Sequence, residues 1–382
     1  MKKIIVFFVA LIVLSTIFIC GCTTENALSF TDLTHFGSVL KADLYCTKTQ
    51  FNAFSDNAKK IVSSLSAVFD TSVADSDVSK INSAKTGAKT KISELTKEAF
   101  DVARMAYELT DGYFDPTVAP LVDLWGFSSR LKNNGAKKAY DRVINADGSY
   151  PLPDVKYITA FRSLVGLKNF VLSEENGEYY VTKTTSGVEI NGTIYYPEID
   201  FSALAKGLVV EKLVDFCAEN DIARGYISYG SSSIGLLKNQ KGRKWEFLLT
   251  NPRQDGTETS NKERTYCSMN KNDVQASTSG DYERCYFLAG RRYSHIIDAA
   301  SGMPSDNGVA AVTVIGARGA LSDCLSTGLI AAGKKKIIEF AASEYAINNG
   351  ITVVAAFIEN GEMKVFTTEK ELTITKGKAY DG

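Results

Sequence analysis

The stretch from Tyr293 to Gly333, YSHIIDAASGMPSDNGVAAVTVIGARGALSDCLSTGLIAAG, limits the possible folds more than any other part of the chain. It holds one of only two histidines, a turn-rich loop, an apolar run that reads as a strand, and a helical segment carrying Asp323. Small or apolar residues flank that segment, Gly319 to Leu321 before it and Gly328 to Ala332 after it, so the helix is expected to be largely buried. A buried lone aspartate is costly without a partner, and the rest of the chain must supply one.

Asp323 and Thr327 are four residues apart, one helical turn, so a carboxylate and a hydroxyl can face the same spot. Few, hard oxygen donors suit Mg²⁺, which keeps waters and takes substrate phosphate oxygens. Spacing alone gives a blander reading, and a commoner one: a first-turn Asp favoured by the helix dipole, and a Thr bonding back along the helix. His295 follows Arg291-Arg292-Tyr293-Ser294 and reads as the end of a strand entering a loop. Histidine is the side chain best suited to proton transfer near neutrality, though a single histidine is more often structural.

The order STSGDYERCYFLAGRRYSHIIDAASGMP, then a β-rich run, then SDCLSTGLIAAG, resembles the ApbE family, flavin transferases that move FMN from FAD onto a threonine or serine of another protein. GYFDPTVAPLVDLWGF at Gly112 to Phe127 and IDFSALAKG at Ile199 to Gly207 extend the likeness, with SDVSKIN at Ser76 to Asn82 a weaker match. The resemblance runs from about His35 to about Phe366. It implies an α+β fold, antiparallel sheets with packed helices and two lobes around an FAD cleft, of the T-fold-like kind. It also implies FAD contacts at Phe114, Asp115, Pro116, Asp200, Lys206 and Ile297. Mg²⁺ is expected on Asp323, Thr327, Ser326 and the Ala203 carbonyl, with His295 taking the proton of the acceptor hydroxyl. The family's acceptor sequence, D-x-x-[ST]-G-A-T, does not occur here, so the acceptor is expected to be a separate exported or membrane flavoprotein with a Thr or Ser target. Hydrolysis of FAD to FMN and AMP, and a flavin-binding lipoprotein without turnover, are the alternatives.

Departures from the family pattern are local. Phe36-Gly37-Ser38 replaces Met-Gly-Thr, and Thr71-Ser72-Val73 stands where relatives commonly carry an aromatic. Ser202 and Glu211 replace Gly and Asp, Gly230-Ser231 replaces Gly-Gly, and Asp298-Ala299-Ala300-Ser301-Gly302 replaces Asp-Pro-x-Thr-Gly. Lys206 near a helix start adds charge to the positive end of the dipole, poor for stability and suited to anchoring phosphate.

The chain begins MKKIIVFFVALIVLSTIFICGC, two lysines before an apolar run from Ile4 to Ile19 that is short against the ~20 residues a spanning helix needs. Ile19-Cys20-Gly21-Cys22 resembles a lipobox. Residues 1–21 are therefore read as a lipoprotein signal peptide, Cys22 as the lipidated residue, 22–29 as a tether and 30–375 as the folded domain. That places the domain on the extracytoplasmic face of a bacterial cell membrane. With 382 residues, 45% apolar and 23% charged, the chain has material for a sizeable core. Its 43 Lys and Arg against 44 Asp and Glu leave no basic excess for nucleic acid. No G-x-G-x-x-G fingerprint after a strand appears, which disfavours a parallel dinucleotide fold. Five cysteines remain after Cys22 without C-x-x-C spacing; a Cys267–Cys285 disulfide is open to an exported protein, while the others read as buried thiols.

Element expectations follow from periodicity and turn chemistry. Phe30 to Thr49 reads as a strand pair, Asn52 to Asp70 and Ser93 to Thr110 as amphipathic helices, and Asn169 to Tyr196 as strands turning at Asn176-Gly177. The block Ile199 to Gly207 leads into a helix through about Asn220, with Lys206 near its start. One last helix is expected after Gly333, then a hairpin around Asn360-Gly361, and a flexible tail from about Thr375.

Overall fold

The computed structural model describes residues 26–33, 36–128, 152–190 and 192–380. The leader and Cys22 lie outside them. Strands in chain order begin with β1 (Leu28–Asp32), β2 (Leu40–Leu44), β3 (Lys89–Ile92), β4 (Phe170–Glu175), β5 (Glu178–Lys183), β6 (Val188–Ile190) and β7 (Thr193–Tyr195). They continue with β8 (Gly225–Tyr229), β9 (Ser233–Leu236), β10 (Trp245–Thr250), β11 (Thr265–Lys271), β12 (Val274–Gly280), β13 (Cys285–Leu288) and β14 (Arg291–Ser294). The last are β15 (Ile297–Asp298), β16 (Met303–Pro304), β17 (Val309–Ile315), β18 (Thr352–Glu359), β19 (Glu362–Thr367), β20 (Leu372–Ile374) and β21 (Lys378–Ala379). Helices are α1 (Lys48–Phe69), α2 (Asp77–Ser83), α3 (Glu94–Leu109), α4 (Ala119–Leu124), α5 (Val155–Arg162), α6 (Ser202–Glu219), α7 (Gly319–Ala332), α8 (Lys334–Ala341) and α9 (Glu344–Asn348).

A nine-stranded sheet in the order β1-β2-β8-β9-β12-β17-β18-β19-β21 is the frame, antiparallel except where β21 joins β19. Its central strands are covered on both faces, so every residue of β8 and β17 is buried, which is why Val309–Ile315 reads as a continuous apolar run. Along β18 the alternation of a pleated strand sends Val353, Ala355 and Phe357 to one core and Val354 and Ala356 to the other. Helices α1, α3, α6, α7 and α8 fill the first core. The second lies under the β10-β11-β20 sheet, around Trp245, Phe247 and Tyr266. A third cluster gathers Leu121, Leu124 and Trp125 with Phe161, Tyr293 and Ile297. The expected α+β architecture of antiparallel sheets with packed helices is thus observed.

Local chemistry explains most boundaries. Helix α1 starts four residues before Asn52 because Thr47 and Gln50 form a reciprocal capping box. It buries Phe51, Phe54, Ala58, Val62, Leu65 and Phe69 on one stripe. Ser93 caps α3 and is itself held by Asp77, whose Oδ2 also accepts from Thr96. Asn176 and Gly177, both at positive φ, make the β4–β5 turn.

Four expectations are corrected. The single helix after Gly333 is two, because Ser343 caps α9 and the chain breaks at Ala342. The tail is anchored rather than loose: β21 pairs with β19, and the Tyr380 ring packs on Phe357 and Phe366 under the Lys334 ammonium. The folded unit also starts at Leu28, inside the expected tether, and continues past Thr375. Cys267 and Cys285 are both free thiols, as are Cys46, Cys217 and Cys324.

Helices α6 and α7 meet backbone to backbone at Gly207 and Gly319. A Cβ on Gly207 would sit 2.1 Å from the Gly319 carbonyl oxygen, and one on Gly319 2.3 Å from that of Gly207. Alanine is the better helix former by about 1 kcal/mol, so propensity alone favours Gly207→Ala. Overpacking decides the sign instead, and the substitution is expected to destabilise the fold by about 1–3 kcal/mol in urea unfolding.

Candidate active site

Asp323 is the fifth residue of α7, not a first-turn residue, which removes the capping interpretation. Its carboxylate is buried: Oδ2 accepts from the Gly207 amide at 2.6 Å and Oδ1 from Ser233 Oγ at 2.8 Å. Burial pushes its pKa up, and the Lys206 charge opposes that. In a regular helix the Gly207 amide faces the Ala203 carbonyl, so the Asp323 carboxylate that accepts from this amide lies on the side of α6 where that carbonyl is. Thr327, one turn on from Asp323, is the one half-exposed residue between Gly319 and Ala331. Ser279 of β12 lies 2.9 Å from both Ser326 Oγ and Thr327 Oγ1, and Ser326 also donates to the Asp323 carbonyl.

These atoms are all hard oxygens around one carboxylate. Among the described residues no three His, Cys, Asp or Glu side chains gather as a metal cluster. The donor set therefore fits Mg²⁺, which needs few protein ligands, and does not fit zinc. A buried carboxylate with neutral donors beside it also has a charge that a cation offsets.

The N-terminus of α6 is held by contacts remote in sequence. Asn82 grips Ile199 with both side-chain groups, accepting its amide at 2.8 Å and donating to its carbonyl at 2.9 Å. The buried Lys183 ammonium donates to the carbonyls of Asn82 and Pro197, at 2.9 and 3.1 Å, and burial lowers its pKa to about 8. The Asp200 amide donates to the Pro116 carbonyl, which joins the Phe114-Asp115-Pro116 block to this segment. Phe114 packs on α7 so closely that a Cβ on Gly328 would lie 2.7 Å from its own. Asp115 is buried, with Oδ1 accepting from Thr117 N and Oγ1, yet burial dominates and raises its pKa to about 6. Lys206 Nζ reaches Ser232 Oγ at 2.5 Å, in the β8–β9 turn made by Gly230 and Ser231 at positive φ.

His295 follows β14 directly. Its amide donates to the Arg284 carbonyl at 2.9 Å, and Nδ1 lies 3.2 Å from the same oxygen. A carbonyl only accepts, so Nδ1 carries the proton and the ring's lone pair lies on Nε2. The ring is half-exposed by area but walled in, and burial together with Arg284 and Lys206 pushes its pKa down to about 3. Phe127 meets it edge-on, at the end of a ring stack running Trp125, Tyr293, Tyr286, Phe127.

The structure brings Asp323, Ser326, Thr327, Ala203, Lys206, Asp200 and the Phe114–Pro116 block around α7. The fields of Lys206 reach both Asp323 and His295. Ile297 is different: its side chain is buried in the Trp125 cluster. Sequence reading missed Ser233, Ser279, Ser232 and Lys183. The small-residue run Gly230 to Ser233 and the STSGDY block were the available signals for the three serines; Lys183 had none.

A model of the ApbE family matches residues 36–351. The FAD:protein FMN transferase of Escherichia coli K12 is 25% identical over 270 residues, covering 71% of this chain and 68% of that protein. Its Haemophilus influenzae namesake is 24% identical over 328 residues, 84% of each chain. The flavin transferase ApbE structure from Vibrio cholerae has a TM-score of 0.67 at 23% identity, covering 90% of this chain and 98% of that one. The apo flavinyl transferase ApbE of Pseudomonas stutzeri gives 0.69 at 22%, covering 91% and 96%.

Two titrations of opposite sign follow. Asp115, raised from 3.8 to about 6, binds more protons folded than unfolded between those values, so stability falls as pH rises through that window. His295, lowered from 6.5 to about 3, does the reverse, and stability falls as pH drops below 6.5, reduced by the water its half-exposed ring meets. Urea unfolding across pH 3.5 to 7 is expected to lose the first slope in Asp115→Asn and the second in His295→Gln.

Proposed function

We propose that this chain, which belongs to the ApbE family, transfers the FMN half of FAD to a Thr or Ser hydroxyl of an exported or membrane flavoprotein and releases AMP. The observation that carries this reading is one buried carboxylate, Asp323, among hydroxyls, and a neutral histidine protonated at Nδ1, both within the field of Lys206. The names of the similar proteins support the transfer.

Asp323, Thr327, Ser326 and the Ala203 carbonyl would hold Mg²⁺, which supplies positive charge to the FAD pyrophosphate and to departing AMP. Lys206 adds a fixed cation at the same place, steadied by Ser232. Asp200 and the Phe114-Asp115-Pro116 block, joined through the Pro116 carbonyl, present one wall to FAD, and Ile297 helps shape the wall behind His295. His295 Nε2 takes the proton of the acceptor hydroxyl as its oxygen bonds to the FMN phosphorus and the bond to the AMP phosphate breaks. An imidazole held near 3 is a weak base, and a pyrophosphate bound near it would oppose that shift by its negative charge. The imidazolium, unfavourable in its walled recess, then gives its proton up to AMP or water.

Cys22 is the proposed lipid attachment point, placing the domain outside the cytoplasm; the supporting features are Lys2, Lys3 and the apolar run ending at the lipobox-like Ile19–Cys22.

The test is AMP release from FAD with Mg²⁺, using protein that begins after Cys22, with and without a D-x-x-[ST]-G-A-T peptide. Expected are AMP only with peptide and a flavin-sized mass gain on it. His295→Ala is expected to slow transfer by about 10²–10⁴-fold, and chelation of the metal or Asp323→Ala to abolish it. AMP without peptide would instead establish FAD hydrolysis, and bound FAD without AMP in either tube a flavin-binding protein.

A further inference from the structure

Helices α6 and α7 share more than a glycine contact. Each carries a glycine at the crossing and a carboxylate one turn later, Gly207 with Glu211 and Gly319 with Asp323. Each carboxylate accepts an amide of the opposite helix: Asp323 Oδ2 from Gly207 N at 2.6 Å, Glu211 Oε2 from Ala320 N at 3.1 Å. The crossing thus has a local two-fold pattern, with Asp323 turned to the site and Glu211 turned away from it.

The outer carboxylate is locked. Glu211 is buried, and its Oε1 accepts from Arg318 Nε at 2.7 Å. Arg318 continues to Asp215 Oδ2 at 2.5 Å. Arg318 is the residue before α7 and gives the helix no side-chain cap. The orphan amides of the first turn are served from elsewhere, Ala320 by Glu211 and Gly319 by Gln275 Oε1 at 2.8 Å. Helix α7 is therefore capped by its neighbours, and its height and rotation against α6 are set by the residues that cap it.

We infer that Glu211 is a positioning residue for the metal site, acting by fixing α7 against α6. The inference rests on the Mg²⁺ reading proposed above. The donors of that site come from both helices, Ala203 from α6 and Asp323, Ser326 and Thr327 from α7. A small slide or turn of one helix on the other spoils their common focus without touching any of them. Glu211 and Asp323 are coupled through a single rigid turn, Gly319 to Asp323, so loosening the first frees the second.

The experiment uses Mn²⁺ as the probe, with free ion counted by its electron paramagnetic resonance signal, on wild type, Asp323→Ala, Glu211→Ala and Glu211→Gln. Wild type is expected to bind one ion and Asp323→Ala none. Glu211→Ala should bind about 10-fold more weakly or worse, the range seen when residues supporting metal ligands are removed. Glu211→Gln has the same shape and keeps an acceptor for Ala320 but not the charge facing Arg318, and should fall between. Raised Mg²⁺ should restore turnover in both Glu211 variants, which a loss of folded protein would not allow. Wild-type affinity in Glu211→Ala, or in Glu211→Gln should the alanine variant not fold, overturns the positioning role while leaving the metal site intact. Equal binding by wild type and Asp323→Ala, or none by wild type, overturns both.

Discussion

The site depends on the contact between the backbones of Gly207 and Gly319. Two helices that touch without side chains between them can exchange hydrogen bonds from carboxylate to amide, and here they do so in both directions. Any side chain at the crossing separates α6 from α7 and pulls the Asp323 carboxylate off the Gly207 amide. The buried carboxylate would then lose its shortest donor, which is one way the crowding at this crossing is felt. The nine-stranded sheet serves the same contact from below, with β9 bringing Ser233 to Asp323 and β12 bringing Ser279 to Ser326 and Thr327.

Much of this was legible because it is local. The stripe of α1, the Asn176-Gly177 turn and the continuous apolar run of β17 are set by residues a few positions apart, and periodicity reports them. The small residues around Asp323 correctly marked a buried helix. Spacing could not show that α7 already begins at Gly319, and this left Asp323 looking like a capping residue. Its actual partners, Gly207 and Ser233, are 116 and 90 residues away. Lys183 is the clearest miss: in sequence it is an ordinary strand-end lysine, and only the folded chain puts the carbonyls of Asn82 and Pro197 around it. The tail was misjudged for a related reason, since the aromatic rings that hold Tyr380 come from β18 and β19.

Charge in the site is distributed by environment more than by residue type. Asp115 and Asp323 are both driven towards the neutral form by burial, while His295 is driven away from its cationic form. The Lys206 charge acts on Asp323 and on His295. Burial thus opposes charge on both acids and on the base alike, and a group of opposite sign brought beside any of them offsets that cost.

The stacked rings from Trp125 to Phe127 give the protein an optical handle. The chain has two tryptophans, and they lie in different cores: Trp245 under the small sheet, Trp125 in the stack that ends on His295. Emission from Trp125 reports on the ring stack that ends on His295, while Trp245 lies in the second core, away from that stack. Replacing Trp245 alone with Phe isolates the first signal, so any disturbance of the rings beside His295 becomes readable in the protein's own light emission, without labels and without turnover.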